Sequence, residues 1–189
     1  MHNGQSYPDF KALNQAVLAH DISQLKLLLA ENIDLEIRNF KSETALYIAS
    51  KEGYSDIVNM LLKNGSQVNT EDDSGYTPLR EATENGSIDI VLNLLAYGAT
   101  LNTIDMWGWS LLHSAVISGN VDMVKLFIEY GLEVDKNNNE FMTPLHYACV
   151  KGNIDIIQIL LGHGADRYAV NDGGKNTIDL LKEEGCLEI

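Results

Sequence analysis

Residues 143–164 read TPLHYACVKGNIDIIQILLGHG, two short helical patterns within 22 residues. Thr143 suits an N-cap, because its hydroxyl can accept from an orphan backbone N–H. Pro144 follows at the one place in a helix where a missing N–H costs nothing. Leu145, Ala148 and Cys149 make a narrow apolar stripe, and Gly152 can take the positive φ that stops a helix. Asn153 to Asp155 open a second helix, with Ile156, Ile157, Ile159, Leu160 and Leu161 as its apolar face and Gly164 at its end. Neither helix is long enough to stand alone. The pair has to stack on something like itself.

The chain supplies the copies. Steps of 33 residues back from Thr143 reach Ser110-Leu111-Leu112-His113, Thr77-Pro78-Leu79-Arg80, Thr44-Ala45-Leu46-Tyr47 and Lys11-Ala12-Leu13-Asn14. One step forward reaches Asn176-Thr177-Ile178-Asp179. The first stopping glycine recurs at 53, 86, 119, 152 and 185, and the second at 65, 98, 131 and 164. A small residue recurs at Ala16, Ala49, Ala82, Ala115 and Ala148, and an acid opens the second helix at Asp56, Asp89, Asp122 and Asp155. Self-similarity at a fixed period of this length is the signature of a repeat solenoid.

The TPLH-x-A-x-x-x-G block, the apolar I-V/I-x-x-L-L block and the closing G-A resemble the ankyrin repeat. The resemblance covers the whole chain apart from about ten leading residues. It implies an all-α repeat solenoid of helix pairs joined by β-turn or hairpin tips, with four full repeats and terminal caps. It also implies a single ankyrin-repeat domain over 1–189: an N-terminal capping helix pair at 11–38, full repeats at 39–71, 72–104, 105–137 and 138–170, and a partial repeat at 171–189. Residues 1–10 are expected to fray. His20 and Asn32 stand where the stopping glycines should be, and Lys11 where the capping threonine should be, as befits a terminal unit.

Composition narrows the partners. Thirteen Lys and Arg against 27 Asp and Glu leave a net charge of −14. Phosphate backbones need clustered cations, and anionic membrane surfaces need the same, so neither nucleic acid nor membrane is expected. The acidity is greatest at 72–104, where Asp72, Asp73, Glu81, Glu84 and Asp89 face Arg80 alone. Residues 1–15 lack the apolar core of a signal peptide, and no apolar run approaches the ~18 residues of a membrane span. Two cysteines, Cys149 and Cys186, make no disulfide framework. The expectation is a monomer in a reducing, cytoplasmic or nuclear compartment.

Catalytic and metal chemistry find little footing. His113 and His146 occupy equivalent places one repeat apart, but stacked helices lie roughly 8–10 Å apart and metal–nitrogen bonds are about 2 Å. In ankyrin repeats this histidine hydrogen-bonds backbone within the stack. His146 and Cys149 could bring a thiol near a base, yet Cys149 replaces a helix alanine and reads as a small buried apolar residue. No phosphate loop or calcium-loop spacing is present. No catalytic residue, cofactor or metal is expected.

Family complexes use the tips and the ends of the first helices, which points to a protein partner. Both tryptophans, Trp107 and Trp109, sit in one tip behind Met106. Tyr76 and Met142 lie in the flanking tips, with Ile104 and Ile117 nearby and Asp73 and Glu84 as an acidic rim. Trp, Tyr and Met are enriched at interface centres, and rim charge steers a basic partner. One indole could instead fold back to brace the tips. The function expected is a non-catalytic adaptor or inhibitor that binds a protein through its concave face, centred on the third full repeat. The rival is an ankyrin module or fragment of a larger assembly, such as an enzyme subunit, channel or ubiquitin-ligase adaptor.

Overall fold

The structure, a computed structural model, describes residues 6–183. Cα proximity groups the chain into two compact units, one ending at Thr100 and one beginning at Leu101. In a repeat chain each unit touches mainly its sequence neighbours, so compact groups form along the sequence rather than around one centre.

The first unit holds α1 (Ser6–Leu18), α2 (Ile22–Ala30), α3 (Ala45–Glu52), α4 (Ser55–Lys63), α5 (Pro78–Glu84) and α6 (Ile88–Ala96). The second holds α7 (Leu111–Ser118), α8 (Val121–Glu129), α9 (Pro144–Val150), α10 (Ile154–Gly162) and α11 (Thr177–Glu183). In the first unit α1 packs on α3 and α3 on α5, while α2, α4 and α6 each cover the helix before them. In the second, α7 packs on α9 and α9 on α11, backed by α8 and α10. Leu46, Ile57, Leu61, Leu79, Ile90 and Leu94 are the sealed core of the first unit. Leu111, Leu112, Phe127, Leu145, Ile156 and Leu160 are that of the second.

The ends of the helices follow the repeat chemistry. Thr44, Thr77 and Thr143 each accept from the N–H three residues on. Gly53 and Gly119 cap α3 and α7 in the left-handed region. Two expectations need correction. The first helix is described from Ser6 on, so Lys11 lies inside it rather than at its cap, and residues 6–10 are helical rather than frayed. His20 and Asn32 keep the left-handed backbone of the glycines they replace, with φ of 52° and 53°. His20 is held there by stacking on Tyr54 at 4.3 Å and by bonding to Asp56 at 2.9 Å. Gly185 and Cys186 lie outside the described residues, whereas Cys149 is buried.

Between the pairs, tips occupy residues 39–43, 72–76, 105–109, 138–142 and 171–175. Each is built on an Asn or Asp that begins it. Asn39 Oδ1 accepts from the Lys41 and Glu43 N–H groups, Asp72 Oδ1 from Ser74 and Tyr76, and Asp105 Oδ1 from Trp107 and Trp109. Asn138 Oδ1 accepts from Glu140 and Met142, and Asn171 Oδ1 from Lys175. One short side chain, with one backbone bond from its own N–H to the carbonyl four residues on, thus closes each tip. Among the described residues strand pairing is limited to isolated bridges, Ile104 with Ser110 and Val170 with Asn176.

The tip at 105–109 is also constrained by its neighbour. Asn139 donates from its N–H to the Trp107 carbonyl at 3.0 Å and from Nδ2 to the Met106 carbonyl at 3.1 Å. Gly108 has φ of 80°, and a Cβ there would fall 2.6 Å from Asn139 Oδ1 and 3.0 Å from its backbone N. Gly108→Ala should therefore cost about 1–3 kcal/mol, read as a lower urea midpoint with unchanged m. An unchanged midpoint would contradict the close approach of the two tips.

Candidate functional site

The two indoles of the 105–109 tip point to different surroundings. Trp109 is half-buried, its ring centroid 4.6 Å from that of Tyr147 and 5.6 Å from that of His113. The His113 and Tyr147 rings meet edge-on at 5.9 Å, so the three form one aromatic cluster. His113 is itself fixed. Its Nδ1 accepts from the Ser110 N–H at 3.1 Å, so Nε2 carries the proton and donates to the Met142 carbonyl at 3.0 Å. Trp107, by contrast, is 47% exposed, and Met106 beside it is 61% exposed.

Other residues expected at the site divide likewise. Met142 is half-buried, and its sulfur accepts from Asn171 Nδ2 at 3.3 Å. Ile117 is exposed at the end of α7, as is Val150 at the matching end of α9. Ile104 is exposed but lines a cleft of about 320 Å³ with Leu132, Glu133 and Lys136, a cleft whose walls include neither Met106 nor Trp107. The second unit therefore brings Met106, Trp107, Trp109 and Met142 together on adjacent tips, and gives Ile104 a separate setting.

Asp73, Tyr76 and Glu84 belong to the first unit. The Arg80 guanidinium, itself buried, lies 4.3 Å from the Tyr76 ring centroid and bonds Glu84 through Nε at 3.1 Å. Asp73 accepts from Ser42 Oγ at 2.6 Å. The acidic rim is thus bound up in local pairs, which weakens its reach toward solvent. Beneath it, Tyr47 Oη lies 2.5 Å from Glu81 Oε1 and 3.0 Å from Asp72 Oδ2. Burial pushes the Glu81 carboxyl above the usual carboxylate range, against the pull of the Tyr47 hydroxyl and the Lys51 ammonium.

Among the described residues no group of three or more His, Cys, Asp and Glu is disposed to hold a metal, and no helix is long and apolar enough to cross a membrane. His146 accepts at Nδ1 from the Thr143 N–H at 3.0 Å, and burial holds its imidazole below the usual histidine range.

A family model described as ankyrin repeats (3 copies) matches residues 13–105 and 101–172. The chain belongs to the ankyrin-repeat family. Its ankyrin repeats are similar to human protein phosphatase 1 regulatory subunit 27, 44% identical over 67 residues that cover 35% of this chain and 44% of that one. They also resemble the NF-kappa-B inhibitor cactus of Drosophila melanogaster, 43% identical over 47 residues, 24% of this chain and 9% of that one. The E3 ubiquitin-protein ligase KEG of Arabidopsis thaliana is 31% identical over 64 residues, 34% of this chain and 4% of that one. The chain thus spans less than half the length of these curated relatives.

Two features of these ankyrin tips lie outside the motif blocks that reveal the helices. The Asx row at 39, 72, 105, 138 and 171 keeps the 33-residue period, and that period is the signal by which sequence alone can find it. Phe141, exposed at 54%, stands in a row that holds Gly75, Gly108 and Gly174 in other tips.

The two tryptophans should separate in a stability measurement. Trp109→Ala should destabilise by about 2–4 kcal/mol, since it empties an aromatic cluster, and Trp107→Ala by less than about 0.5 kcal/mol. Equal losses in urea unfolding would contradict the geometry. For Glu81 the sign is that of a raised carboxyl: its favourable contribution is complete at low pH and is lost as pH rises through the folded-state pKa. Glu81→Gln should gain on the parent as pH rises above the ordinary carboxylate value of 4.5, by at most about 1.4 kcal/mol per pH unit. A pH-independent difference would show that Glu81 is not shifted.

Proposed function

We propose that this chain is a non-catalytic protein-interaction module, an adaptor or inhibitor. It binds a protein partner on the hairpin tips and concave face of its third full repeat, acting as a monomeric single domain in the cytoplasm or nucleus. The observation that carries this reading is the exposure of Trp107 and Met106 on a tip whose backbone is already fixed by Asp105 and Asn139. A half-exposed indole on a rigid support loses little ordering entropy when something covers it. Met142 and Ile117 would extend the apolar contact, and Trp109 would act from below by holding the tip in shape. Asp73, Tyr76 and Glu84 of the first unit and Ile104 of the second would be further contacts, the carboxylates suited to a basic partner.

The similarity to a phosphatase regulatory subunit and to an NF-kappa-B inhibitor supports a regulatory role exercised by binding. The similarity to a stretch making up 4% of a ubiquitin ligase supports the second reading, a module of a larger assembly.

The test is affinity capture from the source cell's lysate with the native chain and with Trp107→Ala, leaving Trp109 in place to keep the aromatic cluster. A protein retained by the native chain and depleted at least about tenfold by the variant is the expected result. Equal capture by both would remove Trp107 from the site and end this reading.

A further inference from the structure

We propose that Phe141 is a recognition residue whose ring takes up an extended protein segment carrying a cationic side chain next to an apolar one. The inference rests on the tip-binding reading above and names the partner's chemistry.

The first observation is conformational. Residue 141 sits at φ of 55°, in the left-handed region that side chains avoid. The matching places hold Gly75, Gly108 and Gly174 at φ of 79°, 80° and 70°. Ser42 is the other exception, at 62°, and its hydroxyl is used within the fold, donating to Asp73. Phe141 has no polar group to use, and its side chain stays 54% exposed. The fold of the 138–142 tip comes from Asn138 Oδ1 and would be served better by glycine. Strain held at an exposed aromatic residue is a sign of function rather than of folding.

The second observation is space. The equivalent places on the flanking tips, Gly108 and Gly174, carry no side chain. A Cβ built on Gly174 would meet nothing within 4 Å. The 171–175 tip thus leaves open room at the place that matches Phe141.

Charge supplies the third. Glu140 and Asp172 are both exposed, and the Asp172 N–H donates to the Glu140 carbonyl at 3.1 Å, which sets the two tips side by side. Neither carboxylate is in an ion pair among the described residues. Across residues 101–183, eleven Asp and Glu outnumber six Lys and Arg. An aromatic face with two carboxylates on adjacent turns fits a guanidinium or ammonium, with arginine favoured because its plane can stack while its edge pairs. Met106 and Trp107, on the next tip at roughly 10 Å, then receive an apolar side chain about three residues along an extended segment.

The experiment has two arms. The first needs no partner: Phe141→Gly should raise the urea midpoint at unchanged m, because the strain leaves and little packing is lost. A lowered midpoint would make the ring a structural element and overturn the proposal. In the second arm, a displayed library of random linear peptides is selected on the native chain. Enriched peptides should carry Arg or Lys beside an apolar residue. A synthetic copy of the strongest should lose about tenfold in affinity to Phe141→Gly and several-fold to Glu140→Gln/Asp172→Asn. Enrichment of acidic or uncharged peptides, no enrichment, or full affinity for Phe141→Gly would each overturn it. Binding lost with Trp107→Ala but kept with Phe141→Gly would sink this inference alone and leave the tip-binding function standing.

Discussion

At each tip one Asn or Asp, through its side-chain oxygen and its own backbone N–H and carbonyl, holds the surface of this protein in place. The helices are seven to thirteen residues long, too short to persist alone, and the links between pairs have almost no strand pairing. At positions 39, 72, 105 and 138 the Asn or Asp carboxamide or carboxylate oxygen accepts two backbone N–H groups of its own tip. Each bond contributes only about 0.5–1.5 kcal/mol net. Together they turn a five-residue link into a fixed turn. The next tip can then pack against it, as Asn139 does on the carbonyls of Met106 and Trp107.

From that constraint follows a division of labour among the aromatic residues. A rigid tip can display one side chain outward only if another holds it from within. Trp109, clustered with His113 and Tyr147, does the holding, and His113 ties the cluster to the next tip through the Met142 carbonyl. Trp107 two residues earlier then stays about half exposed without loosening the turn. The same logic makes sense of the first unit, where Arg80 links Tyr76 to Glu84. Side chains that look alike in the sequence are thereby separated into support and surface.

Much of this is legible in the sequence. The 33-residue step locates the helix pairs, the capping threonines and the left-handed stops, because those depend on local backbone chemistry that each repeat restates. The start of the first helix is not legible, since the lone deviant repeat has no template for its leading turn. The unequal roles of Trp107 and Trp109 are hidden too, because they depend on Tyr147, a residue 38 positions beyond Trp109 with no motif of its own. The Tyr47–Glu81 contact is hidden for the same reason. Phe141 is visible as the one aromatic in a glycine row, but composition alone does not mark it. Its significance lies in a left-handed backbone that only the structure displays.

If the tips are preformed, the amide hydrogen-exchange rates of Trp107 and Trp109 in the free protein will show it. Both amides are bonded to Asp105 Oδ1 at 2.9 Å. The account predicts that both exchange well below the rate of an unstructured peptide, and that Asp105→Ala abolishes the slowing. Exchange at the unstructured rate in the native chain would mean the tip forms only on binding, and the surface described here would lose its basis.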